Sequence, residues 1–303
     1  METGAHIPVL LDEVLEHLAV QPAGRYLDCT FGRGGHAREI LHRLGPSGHL
    51  FACDRDATAI AAGADVRSDP RVTLVQSRFS TLISVLGAAQ LQGGLDGVLL
   101  DLGVSSPQLN EAERGFSFQH DGPLDMRMDP DSGESVADWL AHAEQDAIEH
   151  CLREYGEERH ARRIARRLCE ARMREPIRTT AQLASLIAAA VPRSGERIHP
   201  ATRSFQALRI LINDELGELA RGLPTLRDSL APGGRLCAIA FHSLEDRIVK
   251  RYFRDSARAP EFEQPPGPRF TLVTRKPVYP GEAECAANPR ARSARLRVLE
   301  RAA

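Results

Sequence analysis

The chain of 303 residues predicts an α/β fold, a doubly wound and mostly parallel sheet of seven strands with an inserted all-helical domain. Three observations predict it. Short apolar runs alternate with helix-patterned segments up to Asp101 and resume beyond Gln206, the rhythm of a parallel sheet. A glycine-rich turn joins the first of these runs to the helix after it. From about Asn110 to about Ala201 only helix patterns occur, separated by proline and glycine.

In chain order, a short helix over Ile7 to Leu18 has apolar residues at helical spacing after Pro8. Strand one is Arg25 to Thr30, strand two Leu50 to Asp54, strand three Val72 to Val75 and strand four Gly97 to Asp101. An alanine-rich helix, Ala57 to Ala64, lies between the second and third. The insertion carries helix patterns at Val136–Leu140, Glu144–Tyr155, Arg159–Arg172 and Ala181–Ala190. Helices at Gln206 to Leu216 and onward to Leu230 lead through Ala231-Pro232-Gly233-Gly234 to strand five, Arg235 to Phe241. The pieces Phe270–Thr274 and Ala294–Leu299 are separated by a loop too irregular for a crossover helix, so an antiparallel pair at the sheet edge is expected. Five parallel strands closed by such a pair favour a methyltransferase-type, Rossmann-like sheet over the all-parallel sheet of an NAD enzyme. The expected boundaries are 1–109 and 202–303 for the two parts of the sheet domain and 110–201 for the insertion.

Composition narrows the classes. The 39 basic and 41 acidic residues leave a net charge of −2, so no global charge announces nucleic acid. Only Lys250 and Lys276 are lysines, so arginine abundance by itself says little and only local clusters count. The six cysteines lack the paired spacing of a metal site, and three of them sit in strand-like apolar runs. With no basic residue before Arg25 and no apolar run of membrane-spanning length, a cytoplasmic protein is expected.

Candidate site residues cluster at the carboxyl ends of the strands. Gly32-x-Gly34-x-x-Ala37 allows a tight turn and close approach of a ligand, with a helix N-terminus aimed at the same spot. That spacing alone is a weak signal. Asp54 ends strand two roughly 20 residues later, where a carboxylate accepts ribose hydroxyls; the bland reading is an acid at a helix start. Phe79, beyond strand three, can lie against an adenine or simply fill the core. Asp101 ends strand four beside the switch point, facing cofactor and substrate together; its bland reading is a helix cap. Methyl transfer to an exocyclic amine asks for an aligned nucleophile and an acceptor for the amine proton, and Asp101 can supply the second. No metal is required, and no ligand cluster is evident.

These residues sit in longer blocks: His6-x-Pro8-Val9-Leu10-Leu11, Thr30-Phe31-Gly32-Arg33-Gly34-Gly35-His36, and Asp101-Leu102-Gly103-Val104-Ser105-Ser106-Pro107-Gln108. Further blocks are Arg114-Gly115-Phe116-Ser117-Phe118, Gly122-Pro123-Leu124-Asp125-Met126-Arg127, Thr202-Arg203-x-Phe205-Gln206-Ala207-Leu208-Arg209, Phe241-His242-Ser243-Leu244-Glu245-Asp246-Arg247 and Asn288-Pro289-Arg290-x-Arg292-Ser293-Ala294. Through them the chain resembles, over essentially its whole length, the bacterial MraW/RsmH family of small-subunit ribosomal RNA cytosine-N4 methyltransferases. The resemblance implies S-adenosyl-L-methionine as cofactor and a decoding-centre cytosine of 16S rRNA in the assembled small ribosomal subunit as substrate. It also implies cofactor contacts at Gly34, Gly35, His36, Asp54, Phe79, Asp101 and Gln108, and Asp101 is the catalytic candidate from its place at the end of strand four.

Unlike many amino-methyltransferases, this chain has no Pro-Pro-aromatic turn after strand four, so Phe116 or Phe118 is the candidate for stacking the target base. His242, Glu245 and Asp246 either rim the crevice or cap a helix. Trp139 reads as core of the insertion. For RNA contact the tail with Arg290, Arg292, Arg295 and Arg297 ranks above the helix with Arg159, Arg162, Arg163, Arg166 and Arg167, because glutamates interleave the latter. Two other readings stay open: an amino-methyltransferase acting on DNA, and a cofactor-binding assembly factor without catalysis.

Overall fold

The computed structural model describes residues 8–87, 90–192, 198–258 and 268–303; His6 and Ile7 of the first sequence block lie outside them. The chain forms two compact units, Met1–Gly103 with Leu216–Ala303, and Val104–Glu215.

The first unit is built on one seven-stranded sheet. In chain order its elements are α1 (Leu11–Leu18), β1 (Arg25–Asp28), α2 (Gly35–Arg43), β2 (His49–Asp54), α3 (Ala57–Ala62), α4 (Ala64–Arg67), β3 (Val72–Gln76), α5 (Phe79–Leu86) and β4 (Leu95–Asp101). The strand order is β3-β2-β1-β4-β5-β7-β6, where β5 is Leu230–Ala240, β6 Phe270–Leu272 and β7 Arg295–Arg301. The first five strands run parallel, and β7 is antiparallel to both β5 and β6. That is the edge pair expected from the irregular loop between them.

Alternation along each strand divides the buried side chains between two cores. Tyr26, Leu50, Ala52, Leu99, Cys237 and Ile239 pack on one face of the sheet with α1 and α2. Leu27, Phe51, Cys53, Val98, Leu100, Leu236 and Ala238 pack on the other. There they meet Leu82 and Leu86 of α5, Leu219, Leu223 and Leu226 of a helix over Glu215–Asp228, and Val249 and Phe253 of a helix over Ser243–Ala257. A sheet covered on both faces needs strands that are apolar at every position, which is why they read as continuous runs.

The second unit is helical, as expected, but wider than 110–201 at both ends. It comprises α6 (Ser106–Asn110), α7 (Val136–His142), α8 (Gln145–Gly156), α9 (Ala161–Arg172), α10 (Thr180–Ala190) and α11 (Thr202–Asn213). Helix α11 belongs here because Phe205, Ala207 and Leu208 are buried in the same core as Ile148, Leu152, Ile164, Leu168 and Leu183. Trp139 packs against that core. Asn213 at the end of α11 fastens the irregular segment before α7. Its Oδ1 accepts from the Met128 amide at 2.8 Å, and its Nδ2 donates to the Met126 carbonyl at 2.7 Å. Met126 needs such a hold, because its φ of +63° is strained for a residue with a side chain.

Replacing Asn213 with Ala leaves the buried Met128 amide and Met126 carbonyl unpaired. The expected loss is about 2–4 kcal/mol of stability in this unit, read by denaturant unfolding and by amide exchange at Met128.

Candidate active site

The site grows from the junction of β1 and α2. Gly32 and Gly34 have φ of +53° and +72°, and Gly34 is the N-cap of α2. A Cβ on Gly34 would stand 2.6 Å from the Phe31 ring, and one on Gly35 would stand 2.4 Å from Pro8 Cγ. Glycine is therefore required at both positions, by conformation at the first and by crowding at both.

Three carboxylates gather around this turn, each at the carboxyl end of a parallel strand. Asp54 ends β2, and its two oxygens accept from the Gly32 amide at 2.8 Å and the Asp56 amide at 2.9 Å. Burial raises its pKa above the ordinary carboxylate range against these amide bonds. Asp101 ends β4; its amide donates to Thr30 Oγ1 at 2.7 Å. Burial, then the negative charges of Asp28 and Glu245, push its carboxyl well above the ordinary range. Its Oδ1 is buried with no hydrogen-bond partner among the described residues, while Oδ2 lies 3.7 Å from His36 Nδ1. His36 is itself buried, and its Nε2 is 3.0 Å from the Val9 carbonyl. A carbonyl can only accept, so Nε2 carries the proton and Nδ1 is the atom turned to Asp101.

Asp28 and Thr30 escaped the sequence reading as site residues. Asp28 ends β1 at 1 % exposure, and its Oδ1 accepts from the Thr30 amide at 3.0 Å. Thr30 therefore links Asp28 to Asp101 through its own amide and hydroxyl. Burial raises the Asp28 pKa to about 7. The signal was present in Asp28-Cys29-Thr30, where an acid two residues before a threonine closes a buried strand.

The remaining predicted residues divide. Phe79 opens α5 and is half-buried, with its ring close enough to Gly222 that a Cβ there would meet it at 2.6 Å. One side of the ring thus makes the core contact that sequence reasoning weighed against a ligand. Gln108 lies in α6 of the helical unit, buried, and its Oε1 accepts from the Ser105 amide at 2.9 Å in a capping box. His242 is the N-cap of the Ser243–Ala257 helix; its Nδ1 accepts from the Glu245 amide, and Glu245 Oε2 accepts from the Phe241 amide at 2.8 Å. Asp246 is held by Arg297 of β7 at 2.7 Å. The helix-cap reading accounts for His242 and Glu245, and an ion pair accounts for Asp246. Phe116 is buried in the helical core and is withdrawn as a base-stacking candidate; Phe118 packs edge-on against Phe205 at 4.8 Å.

A raised Asp28 pKa fixes the sign of a pH effect. Between the unfolded value near 4 and about 7 the folded state binds the extra proton, so stability falls as pH rises through that window and is level above it. Asp28→Asn should flatten the profile, removing a fall of up to about 4 kcal/mol. Chemical unfolding from pH 4.5 to 8 reads it, and parallel profiles for both proteins would refute the burial-raised proton.

The family model described as the MraW methylase family matches residues 3–302. A protein of Thioalkalivibrio sulfidiphilus named Ribosomal RNA small subunit methyltransferase H is 56% identical, covering 99% of this chain and 98% of its own. Proteins of the same name from Thiobacillus denitrificans and Methylococcus capsulatus are 56% and 54% identical, covering 99% and 97% of this chain and 98% and 100% of their own. A family match over residues 3–302, with relatives more than half identical along nearly the whole chain, means that this chain belongs to the MraW methylase family.

Proposed function

We propose that the protein is a cytoplasmic methyltransferase that uses S-adenosyl-L-methionine to methylate the exocyclic N4 of a cytosine in small-subunit ribosomal RNA, with the assembled subunit as its acceptor. The observation that carries the reading is Asp101, a carboxylate with one buried oxygen lacking a partner, at the strand end beside a glycine turn. The names of the relatives supply the substrate class. Among the described residues no helix is long and apolar enough to cross a membrane.

The residues present fit the cofactor. At Gly32 only the Thr30 carbonyl comes within 4 Å of where a Cβ would stand, at 3.9 Å, so a ligand can approach the backbone there. The Asp54 carboxylate has more lone-pair sites than the backbone amides of Gly32, Arg55 and Asp56 use, leaving capacity to accept a ribose hydroxyl. Phe79 is the further contact proposed in the sheet unit, Gln108 enters the set through the sequence resemblance alone, and His36 Nδ1 lies 3.7 Å from Asp101 Oδ2. When bound, the sulfonium supplies an already activated methyl group.

The chain's own task is the amine. The lone pair of a cytosine amino group is delocalised into the ring, so it is a poor nucleophile. Asp101 Oδ1 accepts a hydrogen bond from the N4–H, returns electron density to nitrogen as the N–C bond forms, and takes the proton afterward. Its raised pKa makes it a stronger base than an exposed carboxylate. The same shift sets the sign of the pH dependence: only the ionised form accepts, so transfer rises with pH through that raised pKa and then levels.

The test is transfer of labelled methyl from S-adenosyl-L-methionine to unmodified small subunits, naked ribosomal RNA and duplex DNA, with the product nucleoside identified. N4-methylcytidine on subunits alone is expected. Label on DNA would replace the substrate class, and cofactor binding without transfer would favour a non-catalytic assembly factor. Asp101→Asn keeps the shape but cannot take the proton, so transfer at saturating cofactor should fall by about 100-fold or more. Transfer at the wild-type rate would remove Asp101 from its role.

A further inference from the structure

Two of the four tail arginines, Arg295 and Arg297, give way to the arginines of α9 once their partners are known, while Arg290 and Arg292 stay exposed. In the tail, Arg297 is buried and bound through two contacts to Asp246, and Arg295 lies 3.8 Å from the same carboxylate. Both belong to β7, inside the sheet. These two side chains hold the strand down and have their charge met.

Helix α9 shows the opposite. Ile164, Ala165 and Leu168 are buried, and at 3.6 residues per turn they occupy one sector about 100° wide. Arg162, Arg163 and Arg166 fall in the opposing sector and are exposed. Arg159 just before the helix and Arg174 just after it are exposed as well. The glutamates that sequence alone sets against them are mostly elsewhere. Glu158 is buried, with its Oε1 accepting from the His160 amide at 2.8 Å. Glu157 caps α8 with φ of +48°. Only Glu170 reaches the stripe, 3.7 Å from Arg166. Arg159, Arg162, Arg163 and Arg174 form no ion pair among the described residues.

Such a surface costs the free protein something. Arg162 and Arg166 are like charges four apart on α9, a pair unfavourable by a few tenths of a kcal/mol. The stripe also stands out in a unit that is acid-rich: 104–215 holds 15 arginines against 19 aspartates and glutamates. A polyanion removes the repulsion, and a row of guanidinium forks on a rigid helix matches successive phosphates.

We propose that the Arg162, Arg163 and Arg166 face of α9, extended by Arg159 and Arg174, is a docking surface for the phosphate backbone of RNA. The identity of that RNA as part of the small subunit rests on the methyltransferase reading above; the surface itself does not.

The test is the variant Arg162→Gln, Arg163→Gln and Arg166→Gln, which keeps residues of good helix propensity and touches no cofactor residue. Binding of a fluorescent single-stranded RNA of about 30 nucleotides is followed from 50 to 200 mM salt, where each phosphate contact contributes about 0.7 to the slope of log affinity against log salt. The slope should become shallower by about 2, with affinity falling about tenfold or more at the low-salt end. Cofactor binding by calorimetry should be unchanged, and binding to unmodified subunits should weaken in parallel. Arg153→Gln, on α8 and ion-paired with Glu149, should behave as wild type. An unchanged slope and affinity for RNA would overturn the proposal. Loss of subunit binding with RNA binding intact would replace RNA by an acidic protein surface. If the wild type methylates no acceptor yet the variant still loses the salt slope, the enzyme reading fails and the docking surface stands.

Discussion

Parallel strands covered by helices on both faces leave a charged group only the strand ends to occupy. The sheet of this protein obeys that constraint. The buried side chains of β1, β2 and β4 are apolar but for Asp28, and Asp28, Asp54 and Asp101 stand at the last residues of these strands. Three carboxylates thereby converge on one edge, around the turn where Gly32 and Gly34 reverse the backbone. The doubly wound topology puts β1 between β2 and β4, so the convergence follows from strand order and needs no special loop.

Gathering carboxylates in a poorly solvated edge has an electrostatic consequence. Burial raises the pKa values of Asp28, Asp54 and Asp101, and nearby negative charges add to it, Asp54 on Asp28, Asp56 on Asp54, and Asp28 with Glu245 on Asp101. They are not equivalent. Asp54 is stabilised by backbone amides and Asp28 by the Thr30 amide, whereas Oδ1 of Asp101 has no hydrogen-bond partner among the described residues. An acceptor without a donor in a buried place is an unfavourable arrangement for a resting fold. It becomes favourable when a substrate N–H or a cationic ligand arrives. This asymmetry among three similar acids singles out Asp101, and it explains why a cation-bearing cofactor suits the edge.

Much of this was legible in the chain. The glycine turn, the strand-terminal acids and the antiparallel closing pair could be read because each depends on local chemistry: a positive φ, a strand end, a loop too irregular to hold a helix. What could not be read depends on partners distant in sequence. Asp28 looked like one more residue of a strand, and only the neighbouring strands make it a buried acid. Helix α11 looked like the resumption of the sheet domain, and only the side chains it meets, Ile148 and Leu152 among them, assign it to the helical unit. Phe79 has both of its sequence readings still in it, since a ring can lean on Gly222 and keep another side free.

The arginines carry the same lesson further. Interleaved glutamates near α9 suggested compensation, and their scarcity in the tail suggested freedom; both inferences treated proximity in sequence as proximity in space. A strand projects neighbouring residues to opposite faces, so Arg295 and Arg297 share one face and meet Asp246 from a distant helix. The turn between α8 and α9 separates Glu157, which caps α8, and the buried Glu158 from the stripe, and along α9 only Glu170 pairs with one of its arginines. Charge compensation is therefore a property of the fold. A protein with almost no net charge can still present one uncompensated cationic row, and a row on a rigid helix engages a polyanion without ordering a flexible segment first.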